Sequence, residues 1–181
     1  MPGRNRSSNN NHNQQKTYEE LKQDEKCIYQ AFKAATGVGQ HALWLQAQQK
    51  GSFEPDDGDV IAVLAAIHGF EDEVSAFSGS DFVGDVNGVQ SNLTGKPGTD
   101  FIMVVADRSK VKHSAKVYTA TDPRSVLKES NTLFKDVPWH AIYGKVQPNR
   151  TIAWTDKQQR LPTGPTANDV VICFVRRPKK K

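Results

Sequence analysis

His140 heads the run HAIYGKV (140–146), and Asp156 closes TIAWTD sixteen residues on, with the turn residues QPNR between them. In an antiparallel hairpin, the start of one strand lies beside the end of the next, so this spacing sets an imidazole next to a carboxylate. Such a pair works as a base and its orienter, because the carboxylate holds the ring in one tautomer and stabilises the imidazolium. A thiol would complete an acyl-transfer machine. Of the two cysteines, Cys27 sits where the helical pattern CIYQAFKAA opens, and the unpaired amides and dipole of a helix N-terminus favour a thiolate. Cys173 falls inside the alternating run DVVICFV and reads as a strand core residue. Taken singly, each candidate has a plainer role: a structural cysteine, a half-buried histidine bonded to a carbonyl, a turn aspartate. Their joint order along the chain favours chemistry.

These groups need elements to hold them. Ile28, Ala31, Phe32 and Ala35 recur at helical spacing, TGVGQ interrupts, and HALWLQAQQ resumes as a helix. The apolar VIAVLAAI follows aspartates and precedes Gly69, a start and a stop for a further helix. Residues 71–100 are rich in glycine and aspartate and read as loops or short strands. Strands are predicted at FIMVVA (101–106), AKVYTA (115–120), HAIYGKV (140–146), TIAW (151–154) and DVVICFV (169–175). A capped short helix is predicted in TDPRSVLKESN, with Pro123 near its first position. The reading is α+β: a mainly helical part over 19–70, a mainly antiparallel β part over 71–175, and a site in the groove between them.

At 181 residues the chain is long enough for one well-packed domain. Two cysteines are too few for a disulfide framework, and no charged start leads into an apolar leader. The longest apolar stretch, Val60 to Ile67, is far short of the roughly 20 residues of a membrane span. A reducing compartment is therefore expected, in which a reduced thiol persists. The formal charge of +4 is unevenly placed. Arg4, Arg6 and Lys16 lie near one end, and Arg176, Arg177, Lys179, Lys180 and Lys181 at the other. Setting these eight aside leaves 16 basic against 20 acidic residues, an acidic body with basic ends. That argues against a broad nucleic-acid face. Residues 1–18, poor in apolar groups, are expected to be a disordered polar tail, and 176–181 a basic tail. His41, His68 and His113 are scattered and no HExxH or CxxC occurs, so no metal or cofactor is expected; His68 reads as the close of a helix.

The stretches HAIY, IAWTD and LPTGPTANDVVICFV, in that order, together with KCIYQAF around Cys27, resemble the papain-like leader cysteine proteinases of picornaviruses, above all the aphthovirus type. The resemblance implies a papain-like fold with Cys27 as nucleophile, His140 as base and Asp156 as its orienter. Two positions depart from the family pattern. Ile28 follows the cysteine where the family usually has tryptophan, and the amide donor five residues ahead of the cysteine is Lys22 here, with Gln23 one place later. Gln23 and the Cys27 backbone are thus the implied oxyanion donors. The resemblance further implies a cysteine endopeptidase of the host cell cytoplasm that releases itself from a viral polyprotein at its own C-terminal junction. Lys181 would be left on the acyl side, with Lys180 where the family often favours leucine. Host protein substrates are implied too, among them a translation initiation scaffold or ubiquitin-like conjugates, with neither membrane nor nucleic acid as partner. Two alternatives stand beside it: a catalytically weak or inactive leader that antagonises the host by binding, and an RNA-binding or capsid-like protein with basic arms. The body lacks the interleaved basic and aromatic residues that single-strand binding uses.

Overall fold

The structure, a computed structural model, describes residues 18–21, 23–50, 57–110, 119–120 and 139–179. Of the expected tail at 1–18 only Tyr18 is described, and it opens a 3-10 turn (Tyr18–Glu20) and donates its hydroxyl to Gln40; the short helix in 121–131 and most of the strand at 115–120 lie outside the described residues. Three helices come first: α1 (Gln23–Thr36), α2 (Gln40–Lys50) and α3 (Asp57–His68). The spacing that suggests them also sets their inner faces. α1 buries Cys27, Ile28, Ala31 and Phe32, α2 buries Leu43 and Ala47, and α3 buries Val60, Ile61, Leu64 and Ala65. α1 stops at Gly37, whose left-handed φ of +75° lets its amide close back onto the Lys33 carbonyl at 2.8 Å.

Six strands follow: β1 (Glu73–Ser78), β2 (Asp100–Asp107), β3 (Thr119–Ala120), β4 (Trp139–Val146), β5 (Ile152–Thr155) and β6 (Asp169–Arg176). They form one sheet in the order β3-β1-β6-β2-β4-β5, antiparallel at every pairing. The class is α+β. Between β1 and β2 lie two short helices, α4 (Gly79–Val83) and α5 (Val89–Thr94), in the stretch read from sequence as loops or short strands. Alternation there is hard to see because β1 is only six residues long and runs straight into α4, which Ser78 caps by accepting the Asp81 amide at 3.1 Å.

The sheet is covered on both sides, which explains why β2 and β6 read as nearly unbroken apolar runs. Ile102, Val104, Ala141, Tyr143, Ile172 and Phe174 pack against α1, α2 and α3. On the reverse face Phe101, Met103, Val105, Ile142, Val171, Cys173 and Val175 meet Phe82 of α4, Leu93 of α5, and Trp154 and Leu161. The helical layer joins one end of the sheet through Arg176. Its guanidinium pairs with both Asp100 carboxylate oxygens, donates to the carbonyls of His68 (3.2 Å) and Ala35 (3.2 Å), and stacks over the Phe70 ring at 4.1 Å. Tyr143 donates its hydroxyl to the same aspartate at 2.8 Å. Burial first, and then the neighbouring Asp100 carboxylate, push the Tyr143 hydroxyl far above its usual range, so it stays a donor.

Candidate active site

β5 is shorter than its neighbour. It pairs with Tyr143 through Val146 of β4, so the first residues of β4 run past its end and leave an open edge. Antiparallel pairing alternates the direction of successive amides, and the Ala141 amide on that edge has no strand to bond. α1 supplies the acceptor: Ala141 N–H points at the Cys27 Sγ, 3.4 Å away. Because the Ala141 nitrogen is bonded to the His140 carbonyl carbon, ordinary backbone dimensions put the sulfur within about 6 Å of the His140 Cα. Asp156 is the residue directly after β5, and its Oδ2 lies 2.8 Å from His140 Nε2. Where β5 ends, Asp156 thus touches the His140 ring, and Cys27 touches the backbone amide of the residue after His140. Their segments are 114 residues apart in sequence at the Cys27–Ala141 contact.

Asp156 is held by the loop it opens. Oδ1 accepts the Gln158 amide at 3.0 Å, and Oδ2 accepts the Arg160 and Leu161 amides at 2.9 and 2.8 Å. Burial alone would raise its pKa, but the Leu161 amide, the His140 imidazole and the Gln158 amide outweigh burial and hold the carboxyl below its usual range. The acid next to His140 is therefore ionised at neutral pH. The imidazole is turned so that neither ring nitrogen makes an aligned hydrogen bond, although Nε2 is within contact distance of the carboxylate. With Nε2 on the Asp156 side, Nδ1 is left for other work. Such bonds commonly tighten only when substrate is present.

Cys27 is 1% and His140 3% exposed. A cleft of about 200 Å³ reaches His140 between the ends of β2 and β6 and the 156–168 loop, lined by Val105, Asp107, Lys110, Arg160, Leu161 and Asp169 among others; Cys27 is not on its wall. Asp107 and Asp169 stand opposite each other in the β2–β6 register, each tied to its own turn, to Ser109 and to Thr166 respectively.

Several sequence expectations shift. Cys27 was expected at the opening of its helix, but α1 begins at Gln23, so Cys27 is the fifth helical residue. Its amide is past the unpaired N–H groups of the first turn, which moves the helix-terminus field and the backbone oxyanion donor away from where the residue pattern suggested. The pattern starts at Cys27 because the first turn, QDEK, is wholly polar and carries no apolar period. Gln23 opens α1, with its side chain outside the described ones. Lys181 also lies outside the described residues. The chain before it leaves the sheet at the end remote from His140: the Arg177 amide donates to Asp72 Oδ2 (2.6 Å), its guanidinium to Glu73 (2.8 Å) and the Asn92 carbonyl (3.1 Å), and Pro178 packs over Gly98. Cys173 is buried in β6, where burial and then the Glu73 charge push its thiol far up. His68 ends α3 and bonds Gln46 at 2.8 Å, and His41 lies near Glu19; His113 is outside the described residues.

Sequence reasoning missed one link. Gln158, in the Asp156 loop, donates to Gln30 of α1 at 3.1 Å, tying the loop to the helix of Cys27. Gln30 is one turn beyond Cys27, a spacing that puts both on the same side of the helix. Among the described residues, no group of three His, Cys, Asp or Glu side chains is placed to hold a metal ion, and no helix is long and apolar enough to cross a membrane. Compared with family models, curated proteins and solved structures, the chain matches none.

Proposed function

We propose that this chain is a papain-like cysteine endopeptidase of the picornavirus leader type, acting in the host cell cytoplasm. The observation that supports the reading is that Asp156 touches His140 while Cys27 touches the amide of the very next residue, Ala141, which gathers the three residue types acyl transfer requires around one strand end. His140 takes the Cys27 proton on Nδ1, since Nε2 faces the Asp156 carboxylate. The sulfur then adds to the scissile carbonyl carbon, and the tetrahedral intermediate collapses as the imidazolium returns its proton to the departing amine. Water, deprotonated by the same ring, attacks the thioester; thiolate leaves, the acid product forms, and the proton restores the imidazolium for the next cycle. Asp156, ionised throughout, stabilises each imidazolium state.

Its proposed substrates are its own polyprotein junction, with Lys181 on the acyl side, and host proteins whose loss suppresses translation or the antiviral response. A binding-only leader protein is the second reading, favoured by the burial of Cys27, since a catalytic thiol has to be reached by a peptide. The two part on a direct test: a short peptide spanning RRPKKK and a downstream extension, incubated with the protein. Cleavage after the third lysine that disappears in Cys27→Ala is expected. An intact peptide, or cleavage that survives Cys27→Ala, refutes the peptidase assignment.

A further inference from the structure

The thiol and the imidazole belong to different layers. His140 stands on β4 and Asp156 follows β5, so the pairing of those strands fixes the two relative to each other, whereas Cys27 rides on α1. Acyl transfer needs these groups held within about 0.5 Å of their working positions. Ile28, Ala31 and Phe32 share one buried cluster with Ala141 and Tyr143, which holds the helix on the sheet, but such burial is non-directional and sets no stopping point along the helix axis. Hydrogen bonds have to do that. One is the Ala141 amide on Cys27 Sγ, and it ends on the reacting atom, which turns toward the carbonyl carbon in the addition step. Another is the Arg176 guanidinium on the Ala35 carbonyl, and Ala35 lies about 12 Å along the helix from Cys27. Gln30 is about 4.5 Å along it. Its Oε1 accepts from Gln158 Nε2 at 3.1 Å, while the Gln158 backbone amide donates to Asp156 Oδ1 at 3.0 Å. The other carboxylate oxygen, Oδ2, faces His140.

We infer that the Gln30–Gln158 amide pair is a positioning device for the reaction, setting the helix of Cys27 against the His140–Asp156 pair. This rests on the peptidase reading above and adds residues that act on the chemistry through others. Gln30 acts through Gln158, and Gln158 through the Asp156 carboxylate. One residue thus has its backbone on the acid and its side chain on the helix of the nucleophile, so the two layers cannot shift here without breaking a bond beside the acid. A displacement of about 1 Å at the reacting atoms costs about a hundredfold in rate, whereas losing one hydrogen bond between half-buried side chains leaves the fold standing. The pair therefore matters far more to turnover than to stability or to substrate binding.

The test measures kcat and KM on the peptide spanning RRPKKK, with urea midpoints in parallel, for wild type, Gln30→Leu, Gln158→Ser, the double variant and Gln30→Glu. Gln30→Leu should lower kcat by about tenfold to a hundredfold and leave KM about twofold or less from wild type. Gln158→Ser keeps the backbone amide on Asp156 and should lower kcat in the same way. The double variant should be no slower than the slower single one, since both changes remove the same bond. Gln30→Glu retains the oxygen to which Gln158 donates and should restore most of kcat. A single variant that folds and keeps its kcat overturns the inference, as do a change confined to KM, losses that multiply in the double variant, or a Gln30→Glu as slow as Gln30→Leu. If Gln30→Leu fails to fold, Gln158→Ser and Gln30→Glu decide by the same criteria. A wild-type protein that leaves the peptide intact removes the peptidase reading, and the inference falls with it.

Discussion

The Asp156 carboxylate accepts three backbone amides and faces one imidazole, and these contacts keep it charged despite burial. Its folded pKa is depressed, so the stability it contributes is full above the unfolded value of about 4 and is lost as pH falls through the folded one. Urea unfolding of wild type and Asp156→Asn should therefore differ most near neutrality and converge below about pH 4. Hydrolysis by Asp156→Asn should fall by about a hundredfold to ten-thousandfold with the circular dichroism spectrum unchanged. A second residue-level expectation concerns the thiols. Alkylation of the native protein by iodoacetamide should modify Cys27 and spare Cys173, whose thiol is raised by burial; equal labelling of both would count against a privileged Cys27. The types and order of Cys27, His140 and Asp156 were legible in the sequence because each belongs to a short local pattern. The Gln158–Gln30 bond was not, since nothing local distinguishes one glutamine from the others in a chain rich in them.

At the scale of elements, the loop between β5 and β6 does the positioning. Trp154 projects from β5 and Gly164 lies against it with φ of +88°; a Cβ at that glycine would come within 2.4 Å of the indole. Gly164→Ala should therefore cost about 2–4 kcal/mol, combining a left-handed backbone with a clash, as read from urea midpoints. The same variant should lower hydrolysis more than stability alone accounts for, because the displaced loop carries Asp156. Strands β2, β4 and β6 were plain in the sequence from their valine, isoleucine and aromatic content, and the helices from their apolar spacing. β1 was not, because four of its six residues are polar or small and it abuts a helix. The true start of α1 escaped for a related reason: a polar first turn looks like a loop until its backbone is seen.

Over the whole molecule, Arg176 connects what sequence leaves far apart, reaching carbonyls 108 and 141 residues away. Arg176→Met strands the Asp100 carboxylate, itself 4% exposed, with Tyr143 as its remaining side-chain partner. The expected loss is about 3 kcal/mol, measured by urea unfolding, with Tyr143→Phe in the same background showing how much the hydroxyl still supports the carboxylate. The α+β class could be read from the segregation of helical and strand patterns. The strand order could not, because which strands become neighbours depends on pairings among residues far apart in sequence.

The central place of β6 bears on when the protein can first act. It is the last described strand in sequence, yet it joins β1 to β2. On a ribosome, all three residues of the Cys27 site emerge before it, while the sheet still consists of separate pieces. Long-range pairings of this kind form late and slowly. A nascent chain halted before residue 169 should hold Cys27, His140 and Asp156 and still be inert, so activity waits on a strand that carries none of the three.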